Sequence, residues 1–414
     1  MRLRLFAFIA LFIIGVSAAQ AENWPCWRGP RGDGSSLDRN PPVRWSSTNH
    51  ITWKTPVPGE GHSSPVVWED RIFLTTALKD SLERKLVCVE RKTGGILWQE
   101  TVVRAPLEAK NAENSFASST PSTDGRQVFV TFLDGKEVVV AAYDFAGKQT
   151  WLARPGQFYS QWGFSHDPLL FEDKVIVDCD SKGENFIVAL NRADGRAAWK
   201  VPRENPTQSY SKPLIQRMAG RLQLVIPGNK AVTSYDPRDG RQLWVVDGPS
   251  DDCVITPVYN QRANLVLSCS SWPKRVLLAI KPDGEGNVSQ TKVAWSTSEG
   301  APYVPSPVSV GDWFFTSGFA TKETFCFEAA TGKVLWHEKM GLHHASPVVA
   351  NGLVYFLNDD GVMHVVKAGP TYELVARNEL GEKTYASPAL FDGQMFLRSF
   401  KHLYCVSEQP PQAN

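Results

Sequence analysis

Thr93-Gly94-Gly95-Ile96-Leu97-Trp98 comes back along this chain: its Gly-x3-Trp step returns at Gly147 to Trp151, Gly195 to Trp199, Gly240 to Trp244 and Gly332 to Trp336. Four of the five glycines stand six residues after a small residue in an apolar run: Cys88, Ala189, Ser234 and Cys326. In the remaining copy Ala142 stands five residues before Gly147, a one-residue deletion. A glycine turn between two short apolar runs, the second closed by a large aromatic, reads as a β-hairpin. Recurrence at roughly 40–55 residues marks one supersecondary unit stacked many times.

Outward from this hairpin, eight prolines open the units: Pro65, Pro121, Pro168, Pro213, Pro257, Pro307, Pro347 and Pro388. Each precedes a short apolar strand, a place where the missing N–H of proline is not needed. A polar turn follows, such as Asn351-Gly352 or Asp392-Gly393, and then a second apolar strand such as Leu353-Val354-Tyr355-Phe356. The third strand carries the small-residue column, and the fourth ends at Trp. Four antiparallel strands per unit is a propeller blade. The eighth unit, Pro388 to Val406, lacks its Trp strand, and Ile51-Thr52-Trp53-Lys54 is a Trp strand with no hairpin before it. The sequence therefore predicts an all-β, eight-bladed β-propeller of four-stranded antiparallel blades, closed by an N-terminal strand that completes the last blade. Closure hides the two sheet edges an open array would expose. Two units depart from the pattern. An insert at Gly284 to Asn287 delays Trp295, and the Pro347 unit has no Trp but Arg377 nearby. Seven blades plus an irregular hairpin is the alternative count.

The 414 residues carry a formal net charge of +1, so no basic excess points to nucleic acid. Arg2 and Arg4, the apolar run Leu5 to Val16, and Ala19-Gln20-Ala21 have the layout of a cleaved secretory signal. That run is too short to span a bilayer as a mature helix, and no later stretch is long and apolar enough. The expected organisation is a signal peptide at 1–21, an ordered extension at 22–44, the propeller at 45–408 and a tail at 409–414. The product is expected to be a periplasmic or secreted monomer. Of the seven cysteines, Cys88, Cys326 and Cys405 share a column with Ala142, Ala189, Ser234 and Ala279 and read as buried core thiols. Cys253 and Cys269 flank one hairpin and are spaced to bridge.

The repeat resembles the pyrroloquinoline-quinone (PQQ)-type repeat, most clearly at Ala189-Leu190-Asn191 to Trp199, Ser234-Tyr235-Asp236 to Trp244 and Cys326-Phe327-Glu328 to Trp336. The opening Trp24-Pro25-x-Trp27-Arg28-Gly29-Pro30 is similar to that of exported bacterial propellers of the same kind. The resemblance implies that Trp53, Trp98, Trp151, Trp199, Trp244, Trp295 and Trp336 dock each blade on its neighbour, as burial of a large flat aromatic would favour. One branch of the family, the quinoprotein dehydrogenases, binds PQQ with calcium in the central funnel beside a ring of two adjacent cysteines. This sequence has no adjacent pair, no Cys-x-x-Cys-His haem site, and no motif onto which the Glu, Asn and Asp calcium ligands or the Asp base carry over. The other branch comprises non-catalytic propellers of the BamB type, which are lipoproteins; no cysteine follows the apolar run here at a lipid-attachment position. The expectation is a non-enzymatic scaffold that binds an envelope protein or a small ligand, with no cofactor. A quinone-type oxidoreductase holding PQQ with calcium is the alternative.

Propeller ligands sit over the central channel, on loops entering the innermost strands. Three residues before each proline stand His62, Ser118, Ser165, Tyr210, Val254, Val304, His344 and Tyr385. Ring closure would make His344, Tyr385 and His62 neighbours, one polar-aromatic side of a funnel. One residue before the proline most units carry Ser or Thr, but the third and fourth carry Asp167 and Lys212, placed to pair across blades with His166 beside them. A hydroxyl there more often bonds backbone, and such an ion pair is more often structural. No histidine spacing suggests a metal, and His343 and His344 should point to opposite faces of a strand. No nucleophile elbow is present.

Overall fold

The computed structural model describes residues 22–205, 207–248, 251–319 and 321–408. The expected signal peptide at 1–21 and the tail at 409–414 lie outside the described residues. The chain forms eight antiparallel sheets of four strands each, two of them extended by one short parallel strand. Blade 1 is typical: Val66–Trp68, Arg71–Leu78, Glu83–Glu90 and Ile96–Arg104 follow one another from the channel outwards. Among the described residues there is no α-helix, and none long and apolar enough to cross a membrane.

The ring shuts as its sequence predicts. Ile51–Pro56 runs antiparallel to His402–Val406, with Trp53 opposite Cys405, so the N-terminal strand becomes the outer strand of blade 8. The same pairing recurs in seven blades. Cys88 faces Trp98, Ala142 Trp151, Ala189 Trp199, Ser234 Trp244, Ala279 Trp295 and Cys326 Trp336. A small side chain opposite the indole leaves room for it, and a bulge follows at each site. Blade 7 puts Val365 opposite Ala376 instead, exchanging large for small across the pair.

The indoles also explain the glycines. A Cβ built on Gly94, Gly195 or Gly332 would lie 2.6 Å from the ring of Trp53, Trp151 or Trp295 respectively. Each of these glycines belongs to the blade after its tryptophan. Indole Nε1 then donates to a carbonyl of that next blade: Trp53 to Arg91, Trp98 to Phe145, Trp151 to Arg192, Trp295 to Ala329 and Trp336 to Gly369, at 2.8–3.1 Å. Trp199 packs on Gly240. Trp244 donates within its own blade, to Gln223 at 2.7 Å, because the insert at Gly286–Asn287 folds back in parallel against it. Trp244 still docks on blade 5 through Val266, Ile280 and Val288. Apolar contacts between neighbouring blades form the core, as where Phe73 and Cys88 meet Val130 and Ala141. A fully buried side chain of this kind contributes roughly 1.5–3 kcal/mol.

All seven cysteines are free thiols, so Cys253 and Cys269 do not bridge. The Cys269 thiol spends itself on the carbonyls of Ser270 and Pro302.

The N-terminal extension stoppers the end of the channel towards which the innermost strands run. Ser35–Ser36 adds to the inner edge of blade 7, and Trp24 pairs with Val67. Arg28, almost fully buried, donates to the carbonyls of Pro307, Pro347 and Asp33. Trp27 donates to Ser387 Oγ at 3.1 Å.

Candidate functional site

The column before the prolines builds two stacked levels, because successive residues of an extended chain point in different directions. The lower level is a girdle. The backbone N–H of Thr256 donates to Ser306 Oγ, Ser306 to Ser346, Ser346 to Ser387, Ser387 to Ser64 and Ser64 to Thr120 Oγ1, all at 2.8–3.0 Å. Thr120 N donates to Asp167 Oδ1 at 2.6 Å, and Asp167 Oδ2 takes the Lys212 ammonium. Asp167 and Lys212 thus pair across blades 3 and 4, but they carry on the hydroxyl girdle and do not face the open funnel. The Lys212 ammonium lies 3.8 Å from the Trp27 ring centroid, capped by the extension. Burial pushes the Asp167 carboxyl up to about 6 against the pull of Lys212, and pushes the Lys212 ammonium down against the pull of Asp167.

His166 is also displaced from the funnel. It is fully buried, its Nδ1 is 3.0 Å from Asp178 Oδ2, and its ring is walled off by Phe158, Phe164 and Tyr210. One residue earlier, Ser165 reaches the cavity; the alternation of side chains sends its neighbour inward.

The upper level is the open one. All eight residues three before the prolines line a single cavity of about 260 Å³: His62, Ser118, Ser165, Tyr210, Val254, Val304, His344 and Tyr385. His344 and Tyr385 stack with ring centroids 3.7 Å apart, and His62 meets Tyr385 edge-on at 4.9 Å. The expected polar-aromatic side therefore exists, and it extends further. Phe319 meets His344 at 4.7 Å, Tyr303 stacks on Phe319 at 5.9 Å, and Phe400 closes on Tyr385 at 4.9 Å. His344 is fixed by Asp359, which lies 2.8 Å from its backbone N and 2.9 Å from Nδ1. His343 turns the other way into the core, as strand alternation requires.

The mouth carries charges of both signs at its rim: Lys79 and Lys110 line an adjoining pocket that shares His62, Glu113, Asn114 and Tyr385 with it. Glu113 and Asp252 line the mouth itself, and no Lys or Arg does. Burial raises the Asp252 carboxyl, opposed by a hydrogen bond from Gln208. Burial first, and then the Arg398 guanidinium, hold His62 down to about 3, so its ring is neutral near pH 7. Arg398 is committed below to Ser63 and the Thr75 carbonyl. Among the described residues no three His, Cys, Asp or Glu side chains are grouped to hold a metal ion.

Asn111, Glu113, Asn114, Trp162, Asp252, Tyr303 and Phe319 were not singled out by sequence, because they stand outside the repeating columns. The long connection between Arg104 and Pro121 was a visible signal for three of them. Phe319, Asp359 and Phe400 come from links between second and third strands, which share this end of the blades.

The same geometry is found in distant proteins. BamB from Moraxella catarrhalis superposes with a TM-score of 0.58 at 15% identity, covering 86% of this chain and 99% of that one. A europium-containing methanol dehydrogenase gives 0.57 at 12%, covering 93% and 98%. The computationally designed Ika8 protein gives 0.56 at 9%, covering 91% and 99%. At such identities these likenesses speak for the propeller fold alone. Comparison with curated protein sequences returned no match. Residues 82–249 and 274–369, more than half of the 414, match the family model described as outer membrane protein assembly factor BamB, and the chain belongs to that family.

Proposed function

We propose that this chain is a non-enzymatic scaffold of the cell envelope, which holds a partner protein or a small ligand in the aromatic mouth of its channel. The observation that carries this reading is the convergence of one residue from every blade on one cavity whose other end is stoppered. Eight independent loops that meet in this way make a rigid recognition surface, as sites on loops held by a scaffold do. The description of the matching family, an assembly factor, supports the same role.

An oxidoreductase of this fold would have to hold PQQ in the same mouth. PQQ is a flat tricyclic tricarboxylate and needs cationic partners and a calcium site. The mouth offers two carboxylates and two histidines but no Lys or Arg, and its volume of about 260 Å³ is below the roughly 300–1,000 Å³ usual for drug-sized ligands. The residues do not fit that group.

Two measurements separate the readings. PQQ with calcium should leave the melting temperature unchanged and give no dye-linked alcohol oxidation. Immobilised protein should retain a partner from a solubilised envelope, and lose it on Tyr385→Ala. Thermal stabilisation by PQQ accompanied by turnover would overturn the proposal.

A further inference from the structure

We propose that the mouth of the channel is a saccharide site, which takes one neutral pyranose ring with its apolar face on the indole of Trp162 and its hydroxyls shared among Tyr303, Tyr385, Asn111, Ser165 and Glu113. The inference rests on the binding role proposed above and names the chemistry of what is bound.

The indole comes first. Trp162 lines the cavity, is 40% exposed and makes no ring contact with another aromatic side chain among the described residues. A single exposed tryptophan is ordinary, but this one is held in place. Its backbone N–H donates to Ser160 Oγ at 2.9 Å, and its carbonyl accepts from Asn114 Nδ2 at 2.8 Å and from the Asn111 N–H at 3.3 Å. The next residue, Gly163, has φ +99, and a Cβ there would lie 2.6 Å from Asn114 Nδ2. The connections entering blades 2 and 3 are thus laced together and hold one indole at the rim. In a ring of eight, blade 3 stands across from blade 7, which carries His344 in its stack with Tyr385. The C–H face of a pyranose is apolar and slightly positive, which suits the negative face of an aromatic ring.

The second observation is the unspent hydrogen-bonding groups of the lining. Tyr303 gives only its carbonyl, to the Ser271 hydroxyl at 3.2 Å, and its own hydroxyl has no acceptor among the described residues. Asn111 accepts the Glu113 N–H on Oδ1 at 2.8 Å and keeps both Nδ2 protons. Trp162 Nε1, Ser165 Oγ and the Tyr385 hydroxyl likewise have no partner among the described residues, and all three side chains line the cavity. The Glu113 carboxylate adds oxygens that accept only. Donors and acceptors are therefore offered together, as a polyol that gives and takes at every hydroxyl requires.

The third is charge and size. Lysines and Glu113 meet at the rim, and His62 is neutral near pH 7, so the lining does not select a strongly charged ligand. The cavity of about 260 Å³ lies under the range of drug-sized ligands and suits a single ring.

The ring has two sources, a free monosaccharide or the end of a glycan chain. Titration calorimetry to high millimolar concentration distinguishes them, with glucose, mannose, galactose and N-acetylglucosamine and with the linear trisaccharides of glucose and N-acetylglucosamine. Sorbitol has the hydroxyls without the ring, and N-acetyl-tyrosine amide stands for a peptide; both are controls. The expected result is binding of at least one pyranose with both controls silent. Trp162→Ala should weaken it about tenfold, and Tyr385→Phe, which removes a hydroxyl and keeps the ring, about fivefold. Both variants should melt at the wild-type temperature, because Trp162 and Tyr385 lie outside the core clusters. A trisaccharide that binds more tightly than its monosaccharide assigns the source to a chain end; equal or weaker binding assigns it to a free sugar. Silence with every sugar, equal binding of sorbitol, preference for the tyrosine amide, or wild-type affinity in Trp162→Ala would overturn the inference. If partner capture from the envelope still depends on Tyr385 while every sugar is silent, the scaffold role stands and only the saccharide falls.

Discussion

Gly332 and Trp295 belong to different blades, and a Cβ on the glycine would stand 2.6 Å from the indole. The glycine also has φ +74, the left-handed region. Two independent demands therefore fall on one position. Alanine at Gly332 must pay about 1–2 kcal/mol for the backbone and must also push back the ring that docks blade 5 on blade 6. The expected destabilisation is about 3 kcal/mol in urea unfolding. Gly352 is the control. It has φ +73, but a Cβ there meets nothing within 4 Å, so Gly352→Ala should cost only about 1–2 kcal/mol. Equal losses at the two sites would show that the indole yields and that the Gly–Trp coupling is a matter of turn geometry alone.

Trp53 closes the ring from the far end of the sequence, opposite Cys405 and donating to the Arg91 carbonyl at 2.9 Å. Trp53→Ala should cost about 3 kcal/mol, the low end for a large-to-small change because the ring is only partly buried. Trp53→Phe keeps most of the area and should cost about 1 kcal/mol for the lost hydrogen bond. Amide exchange along Leu403 to Val406 should accelerate in the alanine variant more than in blade 4. A uniform acceleration over all blades would show that the seam is no weaker than the rest.

Asp167 and Lys212 are the polar exception in a girdle otherwise built from hydroxyls. Lys212→Thr alone strands a buried carboxylate and should cost about 3–5 kcal/mol. Asp167→Ser together with Lys212→Thr restores the hydroxyl pattern of the other blades. That double variant should match the wild type or exceed it, since replacing a whole buried pair is often neutral or stabilising. The sign with pH is fixed by the raised carboxyl. Its folded value of about 6 lies above the ordinary 3.8, so its contribution is present below pH 3.8 and is lost as pH rises through 6. The gap between the double variant and wild type should widen over that range. A double variant as weak as Lys212→Thr would assign the pair a net stabilising role.

Blade count, closure and the eight positions facing the mouth were legible in the sequence because each is a column of the repeat. Pro347 and Pro388 fix where the innermost strands begin, and the residue three before each proline follows by counting. What does not repeat could not be counted. Phe319 and Asp359 reach the mouth from second-to-third strand links, whose lengths vary between blades. Asp167 was visible as an exception, but its level in the channel was not, because Trp27 and Arg28 of the extension cover it from outside the repeat. His166 beside Ser165 shows the finest limit. One step along an extended chain exchanges cavity for core, and the sequence does not mark which of the two faces inward.

His343 is wholly buried, and burial lowers its ring to about 4, with Asp359 opposing. The unfolded chain titrates near the ordinary 6.5, so as pH falls the unfolded state takes up the proton first. The stability that the neutral ring provides is therefore complete above pH 6.5 and is lost as pH falls towards 4. The slope is about 1.4 kcal/mol per pH unit while only the unfolded ring is charged. His62 at about 3 and His364 at about 4 act in the same direction, so acid unfolding of the wild type should be steep. His343→Leu removes one of these protons and leaves the others. The variant's stability relative to wild type should then rise by roughly 3 kcal/mol between pH 6.5 and 4, whatever its offset at neutral pH. Urea midpoints at four pH values measure this directly. Parallel curves for the two proteins would mean that the buried ring is already protonated in the folded state, with Asp359 outweighing the cost of burial.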